Sequence, residues 1–573
     1  VTERDGSTTL RVFDDRGRIT TQVLPSGARY DYVFDDRDRV TEVSVEADGH
    51  RAVTRYSYAG EDRNPSVAVD PSGGETQFTW RRGLLVEAID PTGVRVEFTH
   101  DEHGDLVATT DGLGNTARLE RDAAGRVVAA ITPLGHRTTY RYDETTGVLL
   151  SRTDPAGATT RFEHSAAGRL TAMIDPTGAR TVMEYGDDGE RLATTDALGR
   201  TLTSTYDDLG RLEAVELPDG STWSFGYDLL SRLVESTDVT GGTCRMEFGP
   251  TGYLTSATDP TGVRREVVTD AAGLPLSFVD GDDRVDVVRD QLGRVISDAG
   301  ADGEVSTRRF DACGRLVEST DAAGGVTRFE RDASGRVVAV TQPMGRTFRY
   351  EYDVAGRWAA TVSTGGQRYE VMRDADGRIV AEHWPSGEQV TTTFDACGRI
   401  VERVEPGRGK VRFRYDAAGR IIGIRDPWNG RRSFSYDQAG QLVSATNALG
   451  GVTRFEYNEL GQRVATIDPM GGRTERTYDQ LGRVLTETDP LGRVTRYSYD
   501  AAGRPVRRVD ADGHSLEWRY ERGRRSMTLA DGKVLSAVDR DYAARTMRVV
   551  EGETVHELAW STTGQLMSRL RNG

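Results

Sequence analysis

Aspartate and arginine recur in this chain four residues apart, a spacing that could hold a carboxylate beside a guanidinium for proton transfer or anion binding. A tyrosine precedes the clearest of these pairs, and a glycine lies inside each of them. Because the phrase returns about twenty times, we interpret it as scaffold and not as a catalytic centre. We predict that each aspartate caps a turn and that each arginine pairs with neighbouring acids. The clearest copies are Tyr352, Asp353, Gly356 and Arg357; Tyr415, Asp416, Gly419 and Arg420; Tyr478, Asp479, Gly482 and Arg483; and Tyr499, Asp500, Gly503 and Arg504.

Three short stretches resemble metal sites without completing one. Residues 100–103, His-Asp-Glu-His, have no third ligand near them in the repeat register, which a zinc site requires. Residues 374–377 and 510–513, both Asp-Ala-Asp-Gly, match the start of a calcium loop but lack its later acidic ligand and its flanking helices. We interpret all three as turns, and we predict no metal ion and no cofactor.

The sequence also contains no recognisable nucleophile. It has no Gly-x-Ser-x-Gly elbow and no phosphate loop. Its cysteines are Cys244, Cys313 and Cys397, and the last two share one repeat position 84 residues apart. At about 4.8 Å per strand that is roughly 38 Å of sheet, whereas a disulfide needs Cα atoms within about 7 Å. We therefore predict no bridge between them unless the sheet folds back on itself. Because the sequence lacks the motifs of a nucleophile, we also predict no enzymatic activity.

An internal repeat positions all of these residues. Gly398, Gly419 and Gly440 follow one another in steps of 21, and the 440 residues from Gly83 to Gly523 hold 21 such steps. The repeat is regular over 83–523, irregular over 60–71 and degenerate over 534–573. Because stacked units form one elongated body, we predict a single repeat domain over 1–573.

Each repeat is predicted to be a β-hairpin. Phe348, Tyr350 and Tyr352 alternate with Arg349 and Glu351, which is the period-2 pattern of a half-buried strand. An Asp-x-x-Gly turn then reverses the chain into a second strand over 358–362. Asp-Pro-x-Gly tetrapeptides, as at 154–157 and 468–471, separate successive hairpins, because proline cannot continue a central strand. The fold class is therefore all-β.

Two other all-β architectures use a similar period. The Asp-x-x-Gly-Arg turn favours hairpins over the coils of a parallel β-helix, and about 26 units would make about 13 propeller blades, beyond the usual four to eight. What remains is an antiparallel ribbon of about 50 strands, on the order of 240 Å long. Strand twist makes so long a sheet coil, so we predict a hollow spiral shell of tandem hairpins.

The charge and the apolar content of the chain indicate which partners to expect. The net charge is −16, and the charged residues, 29% of the chain, alternate in sign, so we expect no nucleic-acid partner. No run approaches the 18 apolar residues of a membrane span, and residues 1–4, Val-Thr-Glu-Arg, do not read as a signal peptide. We expect both ends to be cuts inside a longer protein, with any targeting signal outside this chain.

Aromatic side chains form a stripe along one side of the predicted strands, as at Phe455, Tyr457, Tyr497 and Tyr499. Such a stripe could stack on sugars. Cross-strand aromatic contacts between neighbouring hairpins explain it without a ligand, and we predict such a ladder.

The phrase Tyr-Asp-x-x-Gly-Arg-Leu/Val, followed by Asp-Pro-x-Gly, resembles the YD repeat of the Rhs family. That family includes bacterial polymorphic toxins, the shell components of insecticidal Tc toxins and the extracellular region of teneurins. The resemblance runs from Phe13 to about Gly523. It implies a cocoon around a C-terminal toxin domain of the same polypeptide, a secretion-apparatus adaptor outside this chain, and an exported protein that serves competition between bacteria. A core segment of the kind that closes such shells is not recognisable here, so the resemblance carries no activity to any residue.

Two functions are compatible with these features. The first is a non-enzymatic shell that encapsulates the toxin domain. The alternative is a cell-surface adhesion or glycan-binding stalk, which resembles the teneurin use of the repeats and would depend on exposed tyrosines.

Overall fold

The protein is one sheet of 54 strands. The computed structural model describes residues 8–270, 272–280, 283–300, 304–521, 524–541, 546–551, 554–560 and 566–572. Each strand pairs antiparallel with the strand before it and the strand after it, from β1 with β2 to β53 with β54. Within the described ranges no strand pairs with one further along the chain, so the sheet is an open meander. The predicted ribbon of tandem hairpins is confirmed.

The strands are short until the last repeats. The first eighteen are β1 Leu10–Phe13, β2 Ile19–Val23, β3 Arg29–Phe34, β4 Val40–Ala47, β5 His50–Ser57, β6 Val67–Val69, β7 Glu75–Arg81, β8 Leu84–Ile89, β9 Arg95–His100, β10 Leu106–Thr110, β11 Thr116–Arg121, β12 Val127–Ile131, β13 Arg137–Tyr142, β14 Leu149–Thr153, β15 Thr159–His164, β16 Leu170–Ile174, β17 Arg180–Tyr185 and β18 Arg191–Thr195. The next eighteen are β19 Thr201–Tyr206, β20 Leu212–Glu216, β21 Thr222–Tyr227, β22 Leu233–Thr237, β23 Thr243–Phe248, β24 Leu254–Thr258, β25 Arg264–Thr269, β26 Pro275–Asp280, β27 Asp283–Arg289, β28 Val295–Ala299, β29 Val305–Phe310, β30 Leu316–Thr320, β31 Val326–Arg331, β32 Val337–Thr341, β33 Thr347–Tyr352, β34 Trp358–Ser363, β35 Arg368–Arg373 and β36 Ile379–His383. The last eighteen are β37 Gln389–Phe394, β38 Ile400–Glu405, β39 Gly409–Tyr415, β40 Ile421–Arg425, β41 Arg431–Tyr436, β42 Leu442–Thr446, β43 Val452–Tyr457, β44 Arg463–Ile467, β45 Arg473–Tyr478, β46 Val484–Thr488, β47 Val494–Tyr499, β48 Pro505–Val509, β49 Ser515–Glu521, β50 Arg524–Ala530, β51 Lys533–Asp541, β52 Thr546–Glu551, β53 Thr554–Trp560 and β54 Leu566–Asn572.

Two kinds of turn join the strands and share one backbone geometry. We call the Asp-x-x-Gly-Arg turn within a hairpin the signature turn, and the turn to the next hairpin the linker turn. In a signature turn, Gly356 N donates to Asp353 O at 2.9 Å, and Gly356 has φ of 76°. In a linker turn, Gly157 N donates to Asp154 O at 3.0 Å, and Gly157 has φ of 84°. Both are type I turns followed by a left-handed residue, the arrangement typical of hairpins with a G1 bulge.

The structure departs from the regular repeat in several places. Between β5 and β6 the chain is irregular over residues 58–66, and the strands lengthen near the end, to nine residues in β51. Asp38 takes the place of glycine in its signature turn with φ of 63°. Pro343–Gly345 forms a 3-10 turn, which is the only helical segment in the described part of the chain. Gly523, the predicted end of the regular repeat, lies outside the described residues.

The sheet is a single layer. Its solvent-accessible surface is 33,017 Å², whereas a compact protein of this mass would expose about 20,000 Å². The largest side chains that are fully buried are those of Ser256 and Ser277. Solvent therefore reaches both faces of the ribbon, and the predicted hollow coil, as opposed to a packed core, is confirmed.

The ribbon coils back on itself at a constant distance along the chain. Gln291 N donates to Asp48 Oδ2 at 3.0 Å, and Ser334 Oγ donates to Asp90 Oδ2 at 2.6 Å, across 243 and 244 residues respectively. One turn of the spiral thus takes about 243 residues, or about 23 strands. The contacts join linker turns of the first spiral turn to signature turns of the second, and we call this line of contact the seam.

Two glycine-to-alanine substitutions in neighbouring positions test the turn geometry. Gly419 has φ of 86° in a signature turn, and Gly423 lies in β40, where an added Cβ would meet its nearest atom at an ordinary 3.6 Å. We expect Gly419→Ala to destabilise the hairpin by about 1–2 kcal/mol, because alanine is strained in the left-handed region. Gly423→Ala is the matched control and should not destabilise it. Hydrogen–deuterium exchange over 409–436 measures both, and equal protection of the two variants would contradict the assignment.

Candidate functional site

The signature turns are closed by their own aspartate and arginine. Asp353 Oδ1 accepts hydrogen bonds from Ala355 N at 3.0 Å and from Arg357 N at 2.9 Å, and Asp353 Oδ2 accepts one from Arg357 Nε at 2.9 Å. The Asp416–Arg420 pair repeats this with side chains only 16% and 23% exposed. The aspartate caps its turn as predicted. Arg357 pairs first with Asp353, because both groups lie on the same tight turn, and its Nη1 also lies 3.9 Å from Asp111 Oδ2 across the seam.

Several signature arginines also contact the next hairpin. The guanidinium carbon of Arg420 lies 4.9 Å from the ring centre of Tyr436, and Arg420 Nη1 donates to Asp437 O at 3.4 Å. Arg483 makes the same contacts with the ring of Tyr499, at 4.9 Å, and with Asp500 O, at 3.2 Å. An arginine over a tyrosine ring is a favourable cation–π contact. The phrase therefore connects one hairpin to the next along the ribbon.

The signature tyrosine fills a gap in the sheet. The ladder between β32 and β33 ends at the Ala339–Arg349 pair, and beyond it the Tyr352 hydroxyl donates to Val337 O at 2.7 Å. Burial raises the pKa of Tyr352 above its ordinary value. Hydroxyls of the other three predicted copies bond the equivalent carbonyls at distances of 2.6 to 2.9 Å: Tyr415 to Ile400, Tyr478 to Arg463 and Tyr499 to Val484.

The predicted ladder of aromatic contacts is wrong for most of the stripe. Ring-on-ring pairs in the described residues are confined to Phe78 with Trp80 and to Tyr369 with Trp358 and Trp384. The signature arginine instead lies between the aromatic ring of one hairpin and that of the next, so successive tyrosines do not stack on each other. The sequence pattern did not indicate this contact, because the arginine and the ring that it covers lie in different hairpins.

Arginine can replace the signature tyrosine. Arg331 Nη2 donates to Leu316 O at 3.0 Å, and Arg121 Nη2 to Leu106 O at 3.3 Å, which are the carbonyls that tyrosine would bond. Each also donates through Nη1 to the glycine carbonyl of its own turn. The sequence analysis did not single out these residues, although Arg-Asp at the Tyr-Asp position was a visible signal.

At some signature turns the aspartate has a lowered pKa. The hydrogen bond from the Arg126 side chain lowers the pKa of Asp122. Burial by itself would raise the pKa of Asp395, but the backbone and side-chain hydrogen bonds from Arg399 together outweigh it and lower that pKa. One signature turn is neutral by nature: Asn458 Nδ2 donates to Gln462 Oε1 at 2.6 Å in place of the ion pair.

Side chains at the third position of the signature turns form the seam. Cys313 Sγ lies 3.1 Å from Ser72 Oγ, and Arg336, which follows Ser334 in its turn, donates through Nη2 to Thr92 Oγ1 at 2.9 Å. The sheet does fold back on itself, yet Cys244, Cys313 and Cys397 are all free thiols. Cys313 and Cys397 lie on the same edge of the same spiral turn, so the coiling does not bring them together.

Asp376 caps a linker turn that belongs to the neighbouring turn of the spiral. The linker turn that begins at Thr132 has no aspartate of its own. Asp376 accepts hydrogen bonds from Thr132 Oγ1 and Leu134 N, both at 3.0 Å, and lies 2.9 Å from His136 Nδ1. Its carboxylate thus caps a turn 244 residues earlier in the chain. The sequence analysis took 374–377 only as a turn, because no local pattern shows which residue of the turn faces the seam.

The other metal-like stretches are also turns. Asp101 Oδ1 accepts hydrogen bonds from His103 N and Asp105 N, both at 2.9 Å. Asp510 Oδ1 accepts hydrogen bonds from Asp512 N at 3.1 Å and His514 N at 3.0 Å. Both carboxylates therefore act as turn caps. In the part of the chain that the structure describes, no helix has the length and apolar content required to cross a membrane.

Comparison with known proteins agrees with this geometry. The family model described as RHS Repeat matches residues 80–116, 145–181, 164–201, 206–243, 415–452, 436–474 and 478–515, and the model described as Teneurin YD-shell matches 263–428. The two together span most of the chain.

Two curated relatives match shorter segments. Toxin protein Tse5 of Pseudomonas aeruginosa is 36% identical over 132 residues, which are 23% of this chain and 8% of that protein. Probable deoxyribonuclease RhsB of Dickeya dadantii is 27% identical over 146 residues, which are 22% of this chain and 10% of that protein. The matched segments thus make up a tenth or less of either relative.

Two solved structures share the fold over nearly the whole chain. TcdB2-TccC3 without its hypervariable C-terminal region matches with a TM-score of 0.61 and 12% identity over 99% of this chain and 42% of that one. TcdB2-TccC3 matches with a TM-score of 0.57 and 12% identity over 99% of this chain and 40% of that one. The chain therefore spans less than half of these proteins.

Acid should open the signature turn of Asp395 and spare the neutral turn of Asn458. Because the folded pKa of Asp395 lies below its ordinary value near 3.8, its stabilising effect is complete above that value and disappears as pH falls through the folded pKa. Each unit by which folding lowers the pKa of Asp395 corresponds to about a ten-fold change in the equilibrium constant for local opening of its hairpin. We expect amide protection, corrected for intrinsic exchange, to fall between about pH 5 and 3 in β37 and β38. The hairpin of Asn458, β43 and β44, is the internal control, and an equal loss there would contradict the ion-pair explanation.

A single substitution should lock the seam. Ser72→Cys places a second thiol beside Cys313, and oxidation should join them, with loss of two hydrogens in the intact mass and a faster band on a non-reducing gel. The closed loop of 241 residues would raise stability by up to about 5 kcal/mol, reversibly with reductant. Ser26→Cys, at the same position of a linker turn that faces Gln291, is the control and should stay reduced. Absence of the bridge in Ser72→Cys would show that the two spiral turns are not in contact there.

Proposed function

Since this chain belongs to the Rhs, or YD-repeat, family, we propose that it is the wall of a shell that encloses a toxin domain of the same polypeptide during export. The observation that carries the proposal is the single-layer coil with both faces open to solvent. A single-layer sheet of this length does not form a packed core. The enclosure of a space would explain why the sheet is so long.

Three features suit the ribbon to this role. Its hydrogen bonding continues without a break from β1 to β54, so no edge strand interrupts the wall. The seam joins successive spiral turns through side chains, so the wall can close laterally. Two of the proteins that match it carry the names of a toxin and a probable deoxyribonuclease. In this proposal the activity belongs to the enclosed domain, the wall contributes no catalytic residue, and an adaptor outside this chain connects it to the secretion apparatus.

The wall proposal is tested by electron microscopy of the polypeptide extended to its natural C-terminus. We expect a closed hollow particle with density inside. An empty or solid elongated particle would contradict encapsulation and favour the adhesion alternative.

A seam variant tests whether the wall protects its cargo. A side chain at Gly112 would overlap the carbonyl oxygen of Val354 across the seam. We expect Gly112→Val in the extended polypeptide to open the seam, so that protease digests the enclosed domain at least ten-fold faster. Gly423→Val, in β40 and away from the turns, where an added Cβ would meet its nearest atom at an ordinary 3.6 Å, is the matched control. Exchange protection within the hairpins should be unchanged in both variants. Equal digestion of the two variants would contradict a protective wall.

A further inference from the structure

Charged side chains join the two spiral turns at intervals along the seam. Asp111 Oδ2 lies 3.9 Å from Arg357 Nη1, and Asp70 Oδ2 lies 4.0 Å from Arg315 Nη1. In both cases the aspartate begins a linker turn, and the arginine ends the signature turn that faces it. We call each such meeting of a linker turn with a signature turn a crossing.

One crossing carries neither of these charges. Its linker turn, 217–220, begins with Leu217 and not with aspartate, and its signature turn has Asn458 and Gln462 where other copies have aspartate and arginine. The amide of Gln462 is used within its own turn, where Oε1 accepts a hydrogen bond from Asn458 Nδ2 at 2.6 Å. Among the residues that the structure describes, no hydrogen bond or ion pair joins these two turns. We call this place the neutral crossing.

Crossings before and after it retain the charges. Burial by itself would raise the pKa of Asp175, but hydrogen bonds within its turn and the positive charge of Arg420 across the seam lower that pKa. The pKa of Asp238 is lowered against burial in the same way, and Arg483 is the arginine that faces it. The loss of charge is therefore local to the neutral crossing.

Other incomplete crossings are bridged by a replacement. The linker turn that begins at Thr132 has no aspartate, but Asp376 supplies a carboxylate from the third position of the facing signature turn. Gln441 replaces a signature arginine, and Arg200 Nη1 donates to its Oε1 at 3.2 Å across the seam. At the neutral crossing the third position of the signature turn is Leu460, which can neither donate nor accept a hydrogen bond.

Apolar packing does not fill the place of the missing charges. A cavity of about 500 Å³ lies between the two spiral turns at the neutral crossing. Its apolar lining consists of Leu202, Leu217, Pro218, Trp223, Leu460 and Leu481. Side chains that line an unfilled gap lose the contacts that they would make across it. A cavity of about 550 Å³ lies at the start of the seam, but there Asp48 and Gln291 exchange two hydrogen bonds, at 2.7 and 3.0 Å.

We propose that the seam opens first at the neutral crossing, where the two spiral turns part while the charged crossings on either side stay closed. Both halves of this crossing belong to the chain and face each other within it, so its weakness does not depend on what precedes or follows the chain. The use of this opening as an exit for a cargo rests on the proposed function, whereas the opening itself is a property of the wall alone.

The test is double electron–electron resonance on the full chain, with its three native cysteines changed to serine. Spin labels at Asp219→Cys and Glu459→Cys, two exposed turn positions, report the distance across the neutral crossing. We expect a closed distance together with a longer one. The open population should be roughly five-fold larger than at a charged crossing, which is the most that an exposed ion pair would supply.

Two label pairs at the same turn positions are the matched controls. Thr177→Cys with Ala417→Cys spans the crossing of Asp175, and Thr240→Cys with Gln480→Cys spans the crossing of Asp238. The second pair lies nearer to the end of the chain, so an opening that spread from that end would be largest there. Equal distance distributions at all three crossings, or a larger open population at the second control, would overturn the proposal.

A closing variant tests the cause of the opening. Leu217→Asp with Asn458→Asp and Gln462→Arg installs the charges of the other crossings, and we expect the longer distance to disappear while the melting temperature does not fall. A longer distance that persists in this variant would overturn the proposal. The spin labels decide where the seam opens, and microscopy of the extended polypeptide decides whether it encloses a cargo, so either proposal can fail alone.

Discussion

The contact on which the structure depends is that of the signature arginine with two hairpins at once. Arg420 neutralises Asp416 in its own turn, packs over Tyr436 of the next hairpin and bonds the carbonyl of Asp437. An exposed ion pair alone would contribute little. Here the pair is largely shielded, and the tyrosine lies where the ladder between hairpins has ended. The repeat therefore holds each hairpin at a fixed offset from the previous one, and a constant offset produces a coil.

A coil with constant pitch creates the second set of contacts. One spiral turn takes about 243 residues. A linker turn of the first spiral turn therefore contacts a signature turn about 243 residues later along the seam. Asp376, which caps the turn that begins at Thr132, shows how far this complementarity extends. Each of the seam hydrogen bonds described above uses at least one side chain, and no strands pair across the seam within the described residues. The spiral turns can thus separate without breaking the sheet, a property that the proposed shell would need in order to close around a cargo and later release it.

The hairpin repeat and most of the signature site could be predicted from local chemistry. Alternation in 347–352, aspartate at the start of each turn and glycine in the left-handed region require only neighbours within about ten residues. The role of arginine was predicted in part. Its aspartate partner lies four residues away, but its tyrosine partner lies sixteen residues away in the next hairpin, as for Arg420 and Tyr436. The expectation of tyrosine stacked on tyrosine failed for that reason.

The composition and spacing of the chain alone determine that it is an antiparallel ribbon with two strands per 21 residues, because turn geometry and strand alternation are local properties. The pitch of the spiral is not a local property. It accumulates from a small twist at each of the strand pairs, so a slight change per strand would move every seam contact. The contacts of Cys313 with Ser72 and of Asp376 with Thr132 therefore follow from the tertiary structure, which alone brings residues about 243 positions apart together.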